Sequence, residues 1–251
     1  DATADAVAEW EEALHMIPRI WTEAPFSHHG KYFDVPPRHV LPHPVQEPHP
    51  PLYVAATRDE TLDVAGRLGI GALCLGFGGP EDVLRKRIRY DRAIAARGDG
   101  PIAGLVPTHH LSALCPAVVL EDRELARAIG VRGQRFFVDA LNHSYAGGPE
   151  PRTDVDLTEA AQARLSHEVI EADLASPGND PAAAGIRRAF GGVEDATAYV
   201  RALQEAGADE VMFLIQMGTV PQAACLEAIR LLGKHGVPRL RFIISRSAGI
   251  P

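Results

Sequence analysis

The residue pattern predicts a parallel α/β fold with too few strands to close on itself. Three observations carry this reading. Compact apolar runs alternate with helical patterns of ten or more residues, which is how βαβ units read in a sequence. The runs are apolar along nearly their whole length, as expected of strands buried on both faces. They are four in number, at Leu52–Ala56, Ile70–Phe77, Leu111–Leu120 and Glu210–Gln216, whereas a closed barrel needs eight. Four parallel strands leave two open edges, which a protein must cover. The expectation is therefore one partial domain over residues 1–251, or a small open sheet with covered edges.

Each element has its own signal. Val7, Trp10, Leu14, Ile17 and Trp21 recur at spacings of three and four, so residues 3–23 read as a helix, with Pro18 kinking its last turns. Lys31–Val35 reads as a short extended stretch. Pro36–Pro51 holds seven prolines, too many for a helix or a central strand, so it reads as a loop. Asp59–Leu68 is a helix, with Asp59 and Glu60 in its first turn and Gly69 to end it. Pro80–Arg97 is a helix with a proline in its first turn. Helices are also expected at Glu121–Asn142, Val193–Ala206 and Pro221–His235. Residues 146–185 are rich in Gly, Pro, Ala and Asp around one weak helical pattern near Leu157–Leu174. A connection of that length reads as an insertion that serves as a lid, against a surface insertion without order.

Composition narrows the function classes. The chain has 251 residues and a net charge of -8, without a Lys/Arg run. It is therefore not expected to bind nucleic acid or an anionic membrane. No apolar stretch reaches the roughly 18 residues of a membrane helix. Cys74, Cys115 and Cys225 lie far apart in apolar runs and read as reduced core residues of a cytoplasmic protein. The start at Asp1, inside a helical pattern and without a signal peptide, reads as a fragment or a processed chain. The histidine pairs His28/His29, His43/His49 and His109/His110 lack metal-ligand spacing. His109 and His110 read as polar residues entering a strand, with an acid–base role as the alternative. GIGALCLG lacks dinucleotide-fingerprint spacing, and no P-loop, nucleophile elbow or kinase signature occurs.

The stretch Phe26–Phe77 resembles the bacterial luciferase-like monooxygenases. A helix ending near Trp21 leads to an F-x-x-x-G-x-x-F/Y segment. The string with Pro42, Pro44, Val45, Gln46, Pro48, Pro50 and Pro51 follows, and then a strand ending in alanine. The segment FGGVEDATAYVRALQEAGADEVMFLIQMG resembles the closing unit of that family. The likeness runs from about Trp10 to Leu240. It implies a TIM (β/α)₈ barrel of which this chain supplies the fifth to eighth strands and their helices. It further implies reduced FMN with O2, or in some branches a deazaflavin coenzyme, acting on a small organic substrate. A flavin reductase would supply the reduced flavin. It also implies a homo-oligomer, or completion by a preceding N-terminal half.

The candidate site lies where the first strong strand meets its helix. Strand C-terminal ends carry the ligands in parallel α/β proteins, and helix N-termini attract phosphate. Arg58 adds a cation there and Thr61 a hydroxyl. By the resemblance, Arg58 and Thr61 fall on phosphate-contacting places and Ala56 and Thr57 on places lining the flavin, with Ala55 in the same cofactor-binding loop. A small hydroxyl residue is common in the family where Arg58 stands here. Gly76 and Phe77, with Gly78 and Gly79, end the next strand and leave room for the ring, against the plainer reading of a turn before Pro80. The resemblance names no catalytic residue here, since the reactive-centre groups of full-length members come largely from the other half.

Overall fold

The structure is a computed structural model that describes residues 2–76, 78–147 and 189–244. Its residues fall into two compact units. One holds Asp1–Cys74 with Lys86–Leu111, the other Leu75–Arg85 with Ser112–Pro251.

In the first unit, helix α1 (Ala2–Thr22) runs through Pro18 without a break and leads to an antiparallel hairpin, β1 (Phe26–His29) and β2 (Asp34–Arg38). The expected extended stretch at Lys31–Val35 is instead the turn of this hairpin and the start of β2. Two of the loop prolines also belong to β2. His28 pairs with Val35 and Phe26 with Arg38, so Ser27 faces both Pro36 and Pro37 across an irregularity in the register. A bulge in a two-stranded ribbon is where residues without an N–H are tolerated. The turn is built around a carboxylate. Glu12 accepts the backbone N–H groups of Lys31, Tyr32 and Phe33 at 3.0–3.1 Å and bonds the His28 ring at 2.9 Å. Desolvation pulls the Glu12 pKa up, but the His28 bond and the turn amides pull it down harder, and it lies below its usual value.

Strand β3 (Tyr53–Ala56) pairs in parallel with β4 (Gly71–Leu75), with Ala56 opposite Cys74. Between them runs α2 (Asp59–Leu68). Gly69 closes α2 in the left-handed region at φ 67, and the Gly69 and Ile70 amides return to Gly66 and Ala65. Burial on both faces was expected of β3, and the structure corrects this. Tyr53 and Ala55 are exposed, while Ala56 is buried. Tyr53 and Ala55 share one face, and α2 packs on the strand from the other. Helix α3 (Gly79–Arg97) starts in the second unit and ends in the first. There Tyr90, fully buried, reaches the carbonyls of Ile70 and Thr108 at 2.8 and 3.0 Å.

The second unit centres on β5 (Leu111–Val119), from Ser112 onward. Strand β6 (Ala189–Gly191) pairs with Ala117–Val119, and β7 (Glu210–Leu214) with Ser112–Pro116, both in parallel. Pro116, which cannot donate to a ladder, falls at the junction of the two partners, where one missing bond disturbs least. At the far end, the Ser112 hydroxyl donates to Glu210 at 2.6 Å. Strand β6 is too short to be legible in the sequence, so four expected strands become five in the α/β part. Helix α4 (Arg123–Ala146) begins two residues later than expected, because Asp122 Oδ1 accepts the Leu125 N–H at 3.0 Å and caps it. Helices α5 (Val193–Glu205) and α6 (Gln222–Leu231) follow. The expected end at His235 is corrected as well. After α6 a π-turn at Leu232–Gly236 leads into α7 (Val237–Ile244). Val118, Phe190, Met217 and Val220 form a shared core against α4. The expected lid at 146–185 and its helix at 157–174 lie outside the described residues, apart from the end of α4 and Gly147.

Cys74 and Cys115 are buried and Cys225 is half-buried, and burial pushes the Cys115 thiol up to about 12. No described helix is long and apolar enough to cross a membrane.

Candidate functional site

The candidate corner is built by β3 and α2. Val54 and Ala56 turn inward, so Ala55 and the residues that follow Ala56 come to the surface. Thr57 and Arg58 are exposed and Thr61 is half-buried. Arg58 occupies the N-cap of α2 in an extended conformation (φ -118, ψ 150), and its side chain makes no capping bond. Its carbonyl accepts the Thr61 N–H at 3.1 Å. The helix therefore starts without a side-chain oxygen over its first amides, which is the arrangement an external anion can complete.

The charges of the first turn decide whether an anion would be welcome. Asp59 and Glu60 oppose one. Arg89 of α3 offsets part of this: it lies 3.6 Å from Asp59 and forms a two-pronged pair with Asp63 at 2.6 and 3.0 Å. The Arg89 bond holds the Asp63 carboxyl below its usual range. Arg58 is then the cation nearest the helix start in sequence, and it is exposed. A cation, a hydroxyl and uncapped amides beside the small exposed side chain of Ala55 suit a phosphate carried on a planar group, whereas the Ala56 side chain, expected to line the flavin, is turned inward and buried.

Gly76 belongs to the second unit and must be read there. It is buried, its N–H donates to the Leu114 carbonyl at 2.9 Å, and an added Cβ would meet that oxygen at 2.5 Å. The close approach of two backbones thus explains glycine at this position without a ligand. Phe77 lies outside the described residues.

The histidines have structural duties that spacing alone does not reveal. His49 is buried. Its Nε2 accepts the Leu105 N–H at 2.9 Å and its Nδ1 faces the Pro50 carbonyl at 2.7 Å, which ties the proline loop to the segment after α3. His109 faces Arg97 at 3.0 Å. Burial, then the charges of Arg97 and Arg87, lower its pKa. It precedes β5, at the N-terminal strand end, whereas ligands of parallel α/β folds collect at the C-terminal ends. Among the described residues no three His, Cys, Asp or Glu side chains group as a metal site would require.

The motif of the closing unit also resolves into a structural role. Asp195 Oδ2 accepts the Gly192 N–H at 2.9 Å at the start of α5, and Arg123 of α4 pairs with its other oxygen. The acidic residue three places after glycine is a helix cap.

The fold agrees with the comparisons. Solved structures with this fold include a monooxygenase, RslO1, from Streptomyces bottropensis (20% identity, 91% of this chain and 60% of that one, TM-score 0.58). A coenzyme F420 dependent tetrahydromethanopterin reductase from Methanopyrus kandleri matches at 18% identity, 91% and 62% coverage and TM-score 0.56. DmoA from Hyphomicrobium sulfonivorans matches at 15% identity, 96% and 56% coverage and TM-score 0.59. The chain thus spans about 60% of the length of the structures it matches. No curated protein sequence matches it. The family profile described as luciferase-like monooxygenase matches residues 2–212, most of the chain, and the chain belongs to that family, with the α/β fold of part of its barrel.

Proposed function

We propose that this chain supplies the cofactor-phosphate corner of a flavin-dependent monooxygenase acting on a small organic substrate. The observation that carries the reading is the uncapped start of α2, with Arg58 exposed beside it and Thr61 within its first turn. The fold of the monooxygenase RslO1 supports it by analogy. Reduced FMN, when bound, would supply the electrons with which O2 is activated. This chain's own residues hold the cofactor. The α2 amides and Arg58 hold the phosphate, Thr61 donates its hydroxyl, and Ala55 and Thr57 leave space for the ring, with the Ala56 side chain turned away from it. The reductase, and a homo-oligomer or completion by an N-terminal half, belong to the same proposal, as does a cytoplasmic setting.

A second reading keeps the corner and changes the chemistry. The match to an F420 dependent reductase favours a deazaflavin coenzyme, which would exchange hydride with a substrate and need no O2. A third leaves this chain a non-catalytic, flavin-binding partner subunit. Titration of the chain with FMN, riboflavin and F420, followed by absorbance and fluorescence, separates the first two. FMN binding tighter than riboflavin supports the phosphate corner and the first reading, and preferential F420 binding supports the second. Equal affinity for FMN and riboflavin, with no F420 binding, would remove the corner from the account.

A further inference from the structure

Residues 39–51 lead from β2 toward β3, and His49 is the one buried residue among them. Among the described residues, two hydrogen bonds tie this loop to the rest of the first unit, and both run through histidines. His43 Nδ1 meets the Trp21 carbonyl at 3.2 Å, and His49 Nε2 accepts the Leu105 N–H at 2.9 Å. The segment that receives His49 is itself anchored, because Ala103 and Thr108 donate to the carbonyls of Leu68 and Gly69 at 2.8 Å. Gly104 lets the ring come close: a Cβ there would stand 3.0 Å from His49 Cε1 and Nε2. The Trp21 ring at the end of α1 lies beside it, with centroids 6.1 Å apart.

These bonds fix the protonation state of the ring. A backbone N–H only donates, so Nε2 carries no proton. The Pro50 carbonyl, 2.7 Å from Nδ1, only accepts, so Nδ1 carries one. The ring is neutral, and a second proton would set an N–H against the N–H of Leu105. No charged side chain pairs with His49 among the described residues. Arg19 and Glu23 at the end of α1 pair with each other. Residues 102–106 hold no titratable side chain, and Arg97 before them turns to the Gly66 carbonyl and His109. Asp99, His39, His43 and Glu47 are exposed. His43 differs from His49 in kind: it donates to a carbonyl, a bond that the neutral and the protonated ring both make.

We infer that His49 is a pH-sensitive latch: the neutral ring docks residues 39–48 through Leu105, and the protonated ring releases them while His43 stays tethered at Trp21. Histidine is the side chain whose charge changes in the physiological pH range, and a buried cation facing an N–H is driven toward water. Acidification therefore frees the lead into β3 without unfolding the helices around it.

The test is nuclear magnetic resonance on the 251-residue chain across pH. At neutral pH the His49 ring is expected as the Nδ1–H tautomer. As His49 titrates, amide exchange at Leu105, corrected for its intrinsic pH dependence, should speed up about fivefold to tenfold, the loss of one hydrogen bond. Exchange at Ala103 and Thr108 should hold. Trp21 emission, read in Trp10→Phe, should change at the same midpoint. His49→Gln keeps an acceptor for Leu105 that does not titrate, so both changes should vanish, whereas His43→Gln should retain both. Circular dichroism checks that the variants fold, and the resonances of the unsubstituted chain decide the matter if one does not. The proposal is overturned by an Nε2–H tautomer, by Leu105 exchange that ignores the His49 titration, by a transition that survives His49→Gln or is lost in His43→Gln, or by global unfolding before His49 titrates.

Discussion

Two corners of the molecule are built alike and finished differently. Each joins a parallel strand to a helix that carries acidic residues in its first turn. At the β6–α5 corner the chain completes itself. Asp195 reaches back to the Gly192 amide at 2.9 Å, and Arg123 neutralises the carboxylate. At the β3–α2 corner nothing reaches back. Arg58 stands at the N-cap with no capping bond, and Asp59 and Asp63 turn toward Arg89. The first amides of both helices lack a side-chain cap, but Asp195 fixes the turn into α5 and is paired with Arg123, whereas the N-cap of α2 is a solvent-facing cation, which favours an anion there. Sequence patterns alone do not separate the two helix starts, because each places small residues before acids.

Substitutions can break or sharpen this contrast. The largest effect is expected from Asp195→Ala, which removes the cap and strands Arg123. The chain should lose about 2 kcal/mol of stability, read as a lower urea midpoint at unchanged slope. An unchanged midpoint would dissolve the distinction between the corners. Arg58→Ala is expected to leave the urea midpoint within about 0.5 kcal/mol. It should weaken FMN about tenfold, a loss of one charge-assisted bond in partly exposed surroundings, with riboflavin unaffected. If riboflavin weakens equally, Arg58 does not meet the phosphate. Thr61→Ala should cost FMN about threefold, the share of one neutral hydrogen bond, in the same titration. The smallest effect belongs to the Asp63–Arg89 pair. The folded-state pKa of Asp63 is depressed by Arg89, so its contribution is present above the ordinary carboxylate pKa and fades as pH falls through the lowered value. Both partners are largely solvated, so Asp63→Ala should flatten the acid limb of the stability profile only slightly.

Much of the frame was legible because it rests on local rules. Helix α2 runs from Asp59 to Leu68 as its periodicity and terminal glycine demand, and the strands at Leu52–Ala56, Leu111–Leu120 and Glu210–Gln216 shift by only one or two residues at their ends. What was missed depends on distant partners. Strand β6 has only three residues and exists because Ala117–Val119 lies beside it. Pro36 and Pro37 join a strand because the hairpin bulges opposite Ser27. The histidine at 49 carries no mark of its bond to Leu105, which lies 56 residues away in the chain.

The sequence by itself determined the alternation of strands and helices, the family to which the chain belongs, and the residue types present at the β3–α2 corner. Periodicity, terminal glycines and prolines act over one or two turns of chain, so a linear reading captures them. Tertiary structure alone decided which glycine serves backbone packing, which carboxylate caps a helix, and which arginine is already engaged. Those outcomes depend on distances of about 3 Å between groups far apart in sequence, the range over which hydrogen bonds and ion pairs operate, and no spacing along the chain encodes them.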